Sequence, residues 1–128
     1  MTDHVEPSPE RSANLQRMGE VYGWEMTDGT GDFFSYTVDH LFGEIWNRPG
    51  LDDRARRLLL IGLLIGSGQE DVLDIQFPAA LSSGDFSTEE LREIVILACH
   101  YAGWPRGGRI NTQAEKAIHQ FEKKQQAS

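Results

Sequence analysis

From Leu58 to Ile65 every residue except Gly62 is a bulky aliphatic. Asp52 or Asp53 stands before this run as a helix cap, and Gly66 closes it. The segment reads as a helix that is apolar nearly all round. Such a helix has no face to offer water, so it belongs at the centre of a bundle or in a subunit interface. Gly62 and Gly66 lie four apart on it, a spacing that permits close approach of a neighbour and serves packing.

The rest of the chain supplies helices to pack around it. Ser8-Pro9-Glu10 is a helix start: a capping Ser, Pro in the first turn and an acid near the positive helix end. Leu15, Met18 and Tyr22 form the apolar face of this helix and Gly23 stops it. Thr27 to Asp32 is a loop of Asp and Gly turn signals. Phe34, Val38, Leu41 and Ile45 then fall on one helical stripe, which Asn47-Arg48-Pro49-Gly50 ends. Gly66-Ser67-Gly68 is a short break. It is not GxGxxG, since the sixth position is Asp71, and so has no phosphate role. A helix over about 69–81 points Val72, Ile75 and Ala79 inward and bends near Pro78. After the turn Ser82-Ser83-Gly84-Asp85, Ser87 and Glu90 match the capping box. The helix they open carries Ile94, Ala98 and Tyr101 on one side, with Val95, Cys99 and Ala102 beside them. Gly103 closes it. Pro105 precedes a last helix marked by Ile110, Ala114, Ala117 and Phe121. Six helical segments and no period-2 strand make the fold class all-α.

A chain of 128 residues fits one domain. The expected organisation is a flexible N-terminal tail over 1–8, one helical domain over 9–122 and a polar C-terminal tail over 123–128. The net charge is -8. Nine acids against three basic residues precede Gly50, a surface that repels phosphate backbones, so no nucleic acid partner is expected. Cys99 is the single cysteine. It excludes an intrachain disulfide and any CxxC motif, and reads as a buried small hydrophobe or as a reactive thiol. No apolar run approaches the roughly 18 residues of a membrane span. The N-terminus is polar and acidic, unlike a signal peptide. A cytoplasmic location without membrane contact is the default expectation.

Two segments together resemble the carboxymuconolactone decarboxylase family. One is Phe42-Gly43-Glu44-Ile45-Trp46-Asn47-Arg48-Pro49-Gly50-Leu51-Asp52 with Arg54 and Arg56, similar to the family's FGxxWxRPGLDxRxR. The other is Tyr101-Ala102-Gly103-Trp104-Pro105, similar to its YAGxP. The likeness extends over roughly residues 18–120. It implies a six-helix AhpD-like bundle that forms a homo-oligomer, a trimer or hexamer. It also implies one of two activities: decarboxylation of γ-carboxymuconolactone in aromatic catabolism, or peroxide reduction through a CxxC pair with a nearby His and Glu.

On the peroxidase pattern Gln69 and Val72 fall at the two cysteines, Gln76 at the histidine and Arg57 at the glutamate. Peroxide reduction needs a low-pKa thiolate and a resolving partner, so this chain is not expected to be a peroxidase. On the decarboxylase pattern Gln76 again replaces a histidine, and Leu97 replaces a second one. His100 stands three residues beyond Leu97, within about 60° of it around a helix.

Lactone decarboxylation requires an electron sink, which the substrate's conjugated carbonyl supplies. It also needs a clamp for the remaining carboxylate and a general acid for the carbanion-like carbon. It requires no cofactor in principle. Histidine is the usual side chain for proton transfer near neutral pH, so His100 and His40 are the acid/base candidates. Otherwise they are a packed histidine and a partly exposed one. Glu44 reads as a general base or a surface acid. Arg57 and Arg56, with Arg54, read as an anion clamp or as a solvated or intersubunit cluster. Gln76 faces inward, where a buried amide needs partners, and would hold a substrate oxygen. Tyr101 and Trp104 read as core and interface aromatics or as a ligand platform. His4 and His119 look like tail and surface residues. The four histidines lack HxxxH or HExxH spacing, so no metal site is expected. The expected function is a cofactor-independent decarboxylase of a small anionic substrate, a carboxylated lactone or keto acid. The alternative is a family member with a different reaction, or a non-catalytic binding or structural oligomer.

Overall fold

The structure is a computed structural model and describes residues 6–127. His4 and most of the expected N-terminal tail lie outside them. Six helices and no strand are present among the described residues. They fall into two compact units, Met1–Leu51 and Asp52–Ser128, where the sequence suggested one domain over 9–122.

In the first unit, α1 spans Pro9–Tyr22, and Ser8 Oγ accepts the Arg11 N–H at 3.1 Å. It buries Leu15, Met18 and Val21. Helix α2 begins as Asp32–Ser35 and continues over Tyr36–Ile45 with π-helical bonding. There the Trp46 N–H reaches back five residues to the Leu41 carbonyl at 2.9 Å. This corrects the expected stripe. A π-turn is wider than the 3.6 residues of an α-turn. Positions four apart therefore align, and Val38, Phe42 and Trp46 are buried while Leu41 and Ile45 are exposed. Arginines on α1 tie the helices together. Arg11 binds Asp39 at 2.7 Å and Asp28 at 2.8 Å, and Arg17 donates to the Trp46 carbonyl at 2.8 Å.

The second unit holds α3 (Asp53–Gly66), a 3-10 turn (Glu70–Val72), α4 (Leu73–Ser82), α5 (Thr88–Ala102) and α6 (Trp104–Ala127). Asp52 caps α3 by accepting the Ala55 N–H at 2.8 Å. Ser87 and Glu90 form the capping box of α5 in both directions. The apolar core joins Ile61 and Ile65 of α3, Leu73 and Phe77 of α4, Leu91 and Val95 of α5 and Ile110 of α6. Helix α4 starts later than the spacing predicts, because Glu70–Val72 turns more tightly. Helix α6 runs on through Ala127, so residues 123–127 are helical.

The aliphatic run of α3 splits. Ile61, Leu64 and Ile65 are buried, whereas Leu58, Leu59 and Leu63 are exposed. Among the described residues outside their own helix backbone, nothing lies within 4 Å of the Cβ positions of Gly62 or Gly66, so no described neighbour packs against that spacing. Exposed α3 residues and α5, through Ile94, Leu97 and Tyr101, line a groove of about 800 Å³.

Four carboxylates anchor local structure as anions. Glu90 is held below the ordinary value of 4.5 by the Ser87 backbone N–H and by Arg54. Glu70 is lowered by its own backbone N–H and by Arg106. Asp28 is lowered by hydrogen bonding from Arg11, and Glu115 by Arg92. A depressed folded-state pKa means that the unfolded chain binds more protons across the interval between the two values. Stability from these groups is complete above the unfolded value and is lost as pH falls through the folded one. The denaturant midpoint should be level above about pH 5 and fall steadily below it. A midpoint unchanged down to pH 3 would contradict these contacts.

Candidate active site

The start of α3 turns Arg57 inward. Its side chain is only 2% exposed, the largest fully buried one in the chain. A buried guanidinium must be paired and hydrogen-bonded. Its Nη1 donates to Gln76 Oε1 on α4 at 2.8 Å, and its Nε donates to Asp85 Oδ2 at 3.2 Å. The two residues predicted to line one site, Arg57 and Gln76, thus meet directly. Gln76 is 1% exposed. Its Oε1 is taken by Arg57, and its Nε2 has no hydrogen-bond partner among the described residues.

Asp85 is the member of this cluster that sequence reasoning missed, having read it as one residue of a turn. The turn is what places it. Gly84 adopts φ +80, a region that disfavours any Cβ. The Asp85 N–H donates to Ser83 Oγ at 3.2 Å, and Arg54 Nε donates to the Asp85 carbonyl at 3.0 Å. Arg54 is itself fixed, with Nη2 2.5 Å from Glu90 Oε2 and its guanidinium 4.7 Å from the centre of the buried Phe86 ring. The detectable signal was the need of a buried arginine for a counter-charge, but the sequence offers many acids and does not rank them.

The other candidates lie elsewhere. In the second unit His100 is exposed on α5. Its Nδ1 lies 2.7 Å from the Ile96 carbonyl, and its ring meets Trp104 edge-on at 5.5 Å. A carbonyl only accepts, so Nδ1 carries the proton. These contacts do not reach Arg57 or Gln76. Tyr101 and Trp104 are 88% and 68% exposed, so neither is a core aromatic. Arg56 stands 4.0 Å from Asp53 on the same helix. In the first unit His40 and Glu44 form an exposed i,i+4 pair at 3.5 Å. His119 is exposed. Cys99 is buried against Gly107. No group of three or more His, Cys, Asp or Glu suited to a metal occurs among the described residues. No helix of the described residues is long and apolar enough to cross a membrane.

A second polar knot joins the 3-10 turn to α6. Arg106 Nε lies 2.5 Å from Glu70 Oε1, and its Nη2 donates to the Ile65 carbonyl. Gln113 Nε2 donates to the Glu70 carbonyl at 2.9 Å. It secures the α3–α4 connection and thereby the height of Gln76.

An all-α chain with a buried Arg–Gln pair, and with no thiol pair beside it, is the class that this geometry defines. The comparisons agree with it. The model of the carboxymuconolactone decarboxylase family matches residues 31–109, and the chain belongs to that family. It is similar to the 4-carboxymuconolactone decarboxylase of Acinetobacter baylyi, 32% identical over 93 residues, or 73% of this chain and 69% of that protein. It is also similar to a nitrosuccinic acid decarboxylase of Metarhizium robertsii, 39% identical over 64 residues, or 50% of this chain and 44% of that one. No solved structure matches the chain at a significant level.

Proposed function

We propose that the protein is a cofactor-independent decarboxylase of a small carboxylated lactone or related keto acid, serving aromatic-compound catabolism. The observation that carries this reading is the 2.8 Å contact between Arg57 and Gln76, which puts a cation and an orienting amide at one point. The similar proteins act on 4-carboxymuconolactone and on nitrosuccinic acid, as their names state. In both substrates an electron-withdrawing group can take up the pair released when the C–C bond to CO2 breaks. Positive charge from Arg57 favours the anionic substrate and the negative charge that moves toward the sink. Gln76 orients an acceptor oxygen. A proton then returns to carbon, with His100 Nε2 as the candidate donor. Arg56, Tyr101 and Trp104 are further candidates for substrate contact.

The test is turnover of 4-carboxymuconolactone by purified protein, followed as loss of lactone absorbance, with nitrosuccinic acid in parallel. Gln76→Ala should lower kcat/KM by about 10²-fold, the usual effect of removing one such donor, and His100→Ala should test the proton donor. Folded protein inactive on both substrates would retire the reading. The burial of Arg57 would then favour the alternative, a binding or structural family member. We also propose a homo-oligomer, trimeric or hexameric, with a second copy covering the exposed leucines of α3. Leu63→Glu should then reduce the assembly's mass in light scattering.

A further inference from the structure

We propose that Asp85 is a positioning residue. Acting through Arg57, it locks the Gln76 amide so that the site offers substrate a hydrogen-bond donor and never an acceptor. The inference rests on the decarboxylase reading for its substrate class, but not for its geometry.

An amide side chain can present either end, and contacts normally decide which. Here the decision is chemical. A guanidinium has five donors and no acceptor, so the Gln76 atom 2.8 Å from Arg57 Nη1 must be the oxygen. The NH2 group therefore faces the other way. It belongs to a side chain that is 1% exposed, and it meets no acceptor among the described residues. That NH2 group is a donor still open to an acceptor. A substrate group that pairs with it must carry an acceptor oxygen: a carboxylate, a lactone carbonyl or a nitro group qualifies.

Arg57 is held in turn by several partners, Asp85 among them. Its Nε–Asp85 contact at 3.2 Å fixes one edge of the planar guanidinium and so aims the other at Gln76. The Asp85 backbone is in turn held on both sides, by Ser83 Oγ and by Arg54. Hydrogen bonds thus run from Arg54 to Asp85, and from Arg57 to both Asp85 and Gln76.

Gln76→Glu separates this from a merely structural role. Glutamate keeps an acceptor for Arg57 and gains an ion pair, but it has no NH2 to offer. With 4-carboxymuconolactone, kcat/KM should fall about 10²-fold while the thermal midpoint stays level or rises. Undiminished kcat/KM in Gln76→Glu would overturn the proposal. Asp85→Ala, assayed well below its midpoint, should lower kcat about tenfold with KM little changed, the pattern of a lost transition-state contact. Asp85→Asn keeps an accepting oxygen and should recover most of that loss. Equal loss in both would remove Asp85 from the chain of positioning.

A second readout needs no turnover. The Gln76 side-chain amide protons should shift in ¹H–¹⁵N NMR spectra when succinate, an unreactive dicarboxylate, is added to the wild-type protein. The shift should vanish in Asp85→Ala. If succinate moves the amide but no substrate is turned over, the decarboxylase reading fails and this inference stands. If turnover is robust and the amide ignores succinate, the reverse holds.

Discussion

Asp85→Ala is expected to lower the unfolding free energy by about 3 kcal/mol, the low end of what breaking a buried ion pair costs. The arginine left behind is 2% exposed and cannot turn to water. Its remaining hydrogen bonds, to Gln76 among others, keep the loss at that end of the range. The reverse change should be much milder. Arg57→Met removes the charge, fills similar volume with an apolar chain and leaves Asp85, whose side chain keeps 15% of its exposure, near solvent. A well-packed hydrophobic replacement of a buried ion is often close to neutral. In the double variant Arg57→Met with Asp85→Ala the second substitution should cost far less than it does alone. Urea unfolding of the four proteins closes the cycle. Additive effects would mean that the two residues are not coupled.

Gly107→Ala is expected to destabilise by about 2 kcal/mol net. A Cβ at Gly107 would stand 2.4 Å from Cys99 Sγ and 2.8 Å from Cys99 Cβ, so α5 and α6 must separate to admit it. Overpacking of this kind costs about 1–3 kcal/mol. The contact is tight enough to place this case at the top of that range, and about 1 kcal/mol returns through the better helix propensity of alanine. The adjacent Gly108 is the control. Nothing lies within 4 Å of its Cβ position, so Gly108→Ala should stabilise by about 1 kcal/mol. Opposite signs at neighbouring positions, read as thermal midpoints, would confirm that α5 and α6 touch through Cys99 and Gly107. Stabilisation by both would refute it. The same contact accounts for Cys99, which fills a gap only a small side chain fits.

The sequence by itself determined the helices and their ends. Ser8, Asp52 and Ser87 cap where they were expected to, because a cap is settled within one helical turn. It also determined the family, because FGEIWNRPGLD and YAGWP are contiguous strings. The family resemblance singled out Arg57 and Gln76, which the structure brings to 2.8 Å of each other. Other features depended on the tertiary structure. The π-helical course of α2 shifted burial from Leu41 and Ile45 to Phe42 and Trp46. Local propensity does not register that change, since π-bonding has no distinct residue code. Tertiary structure also selected Asp85 among 20 acidic residues as the partner of Arg57. That choice joins positions 28 apart through a glycine turn, and no spacing rule reaches so far. It showed too that Leu58, Leu59 and Leu63 on α3 stay exposed. An apolar pattern states that a face must be buried, and only the packed chain reveals whether its own residues bury it.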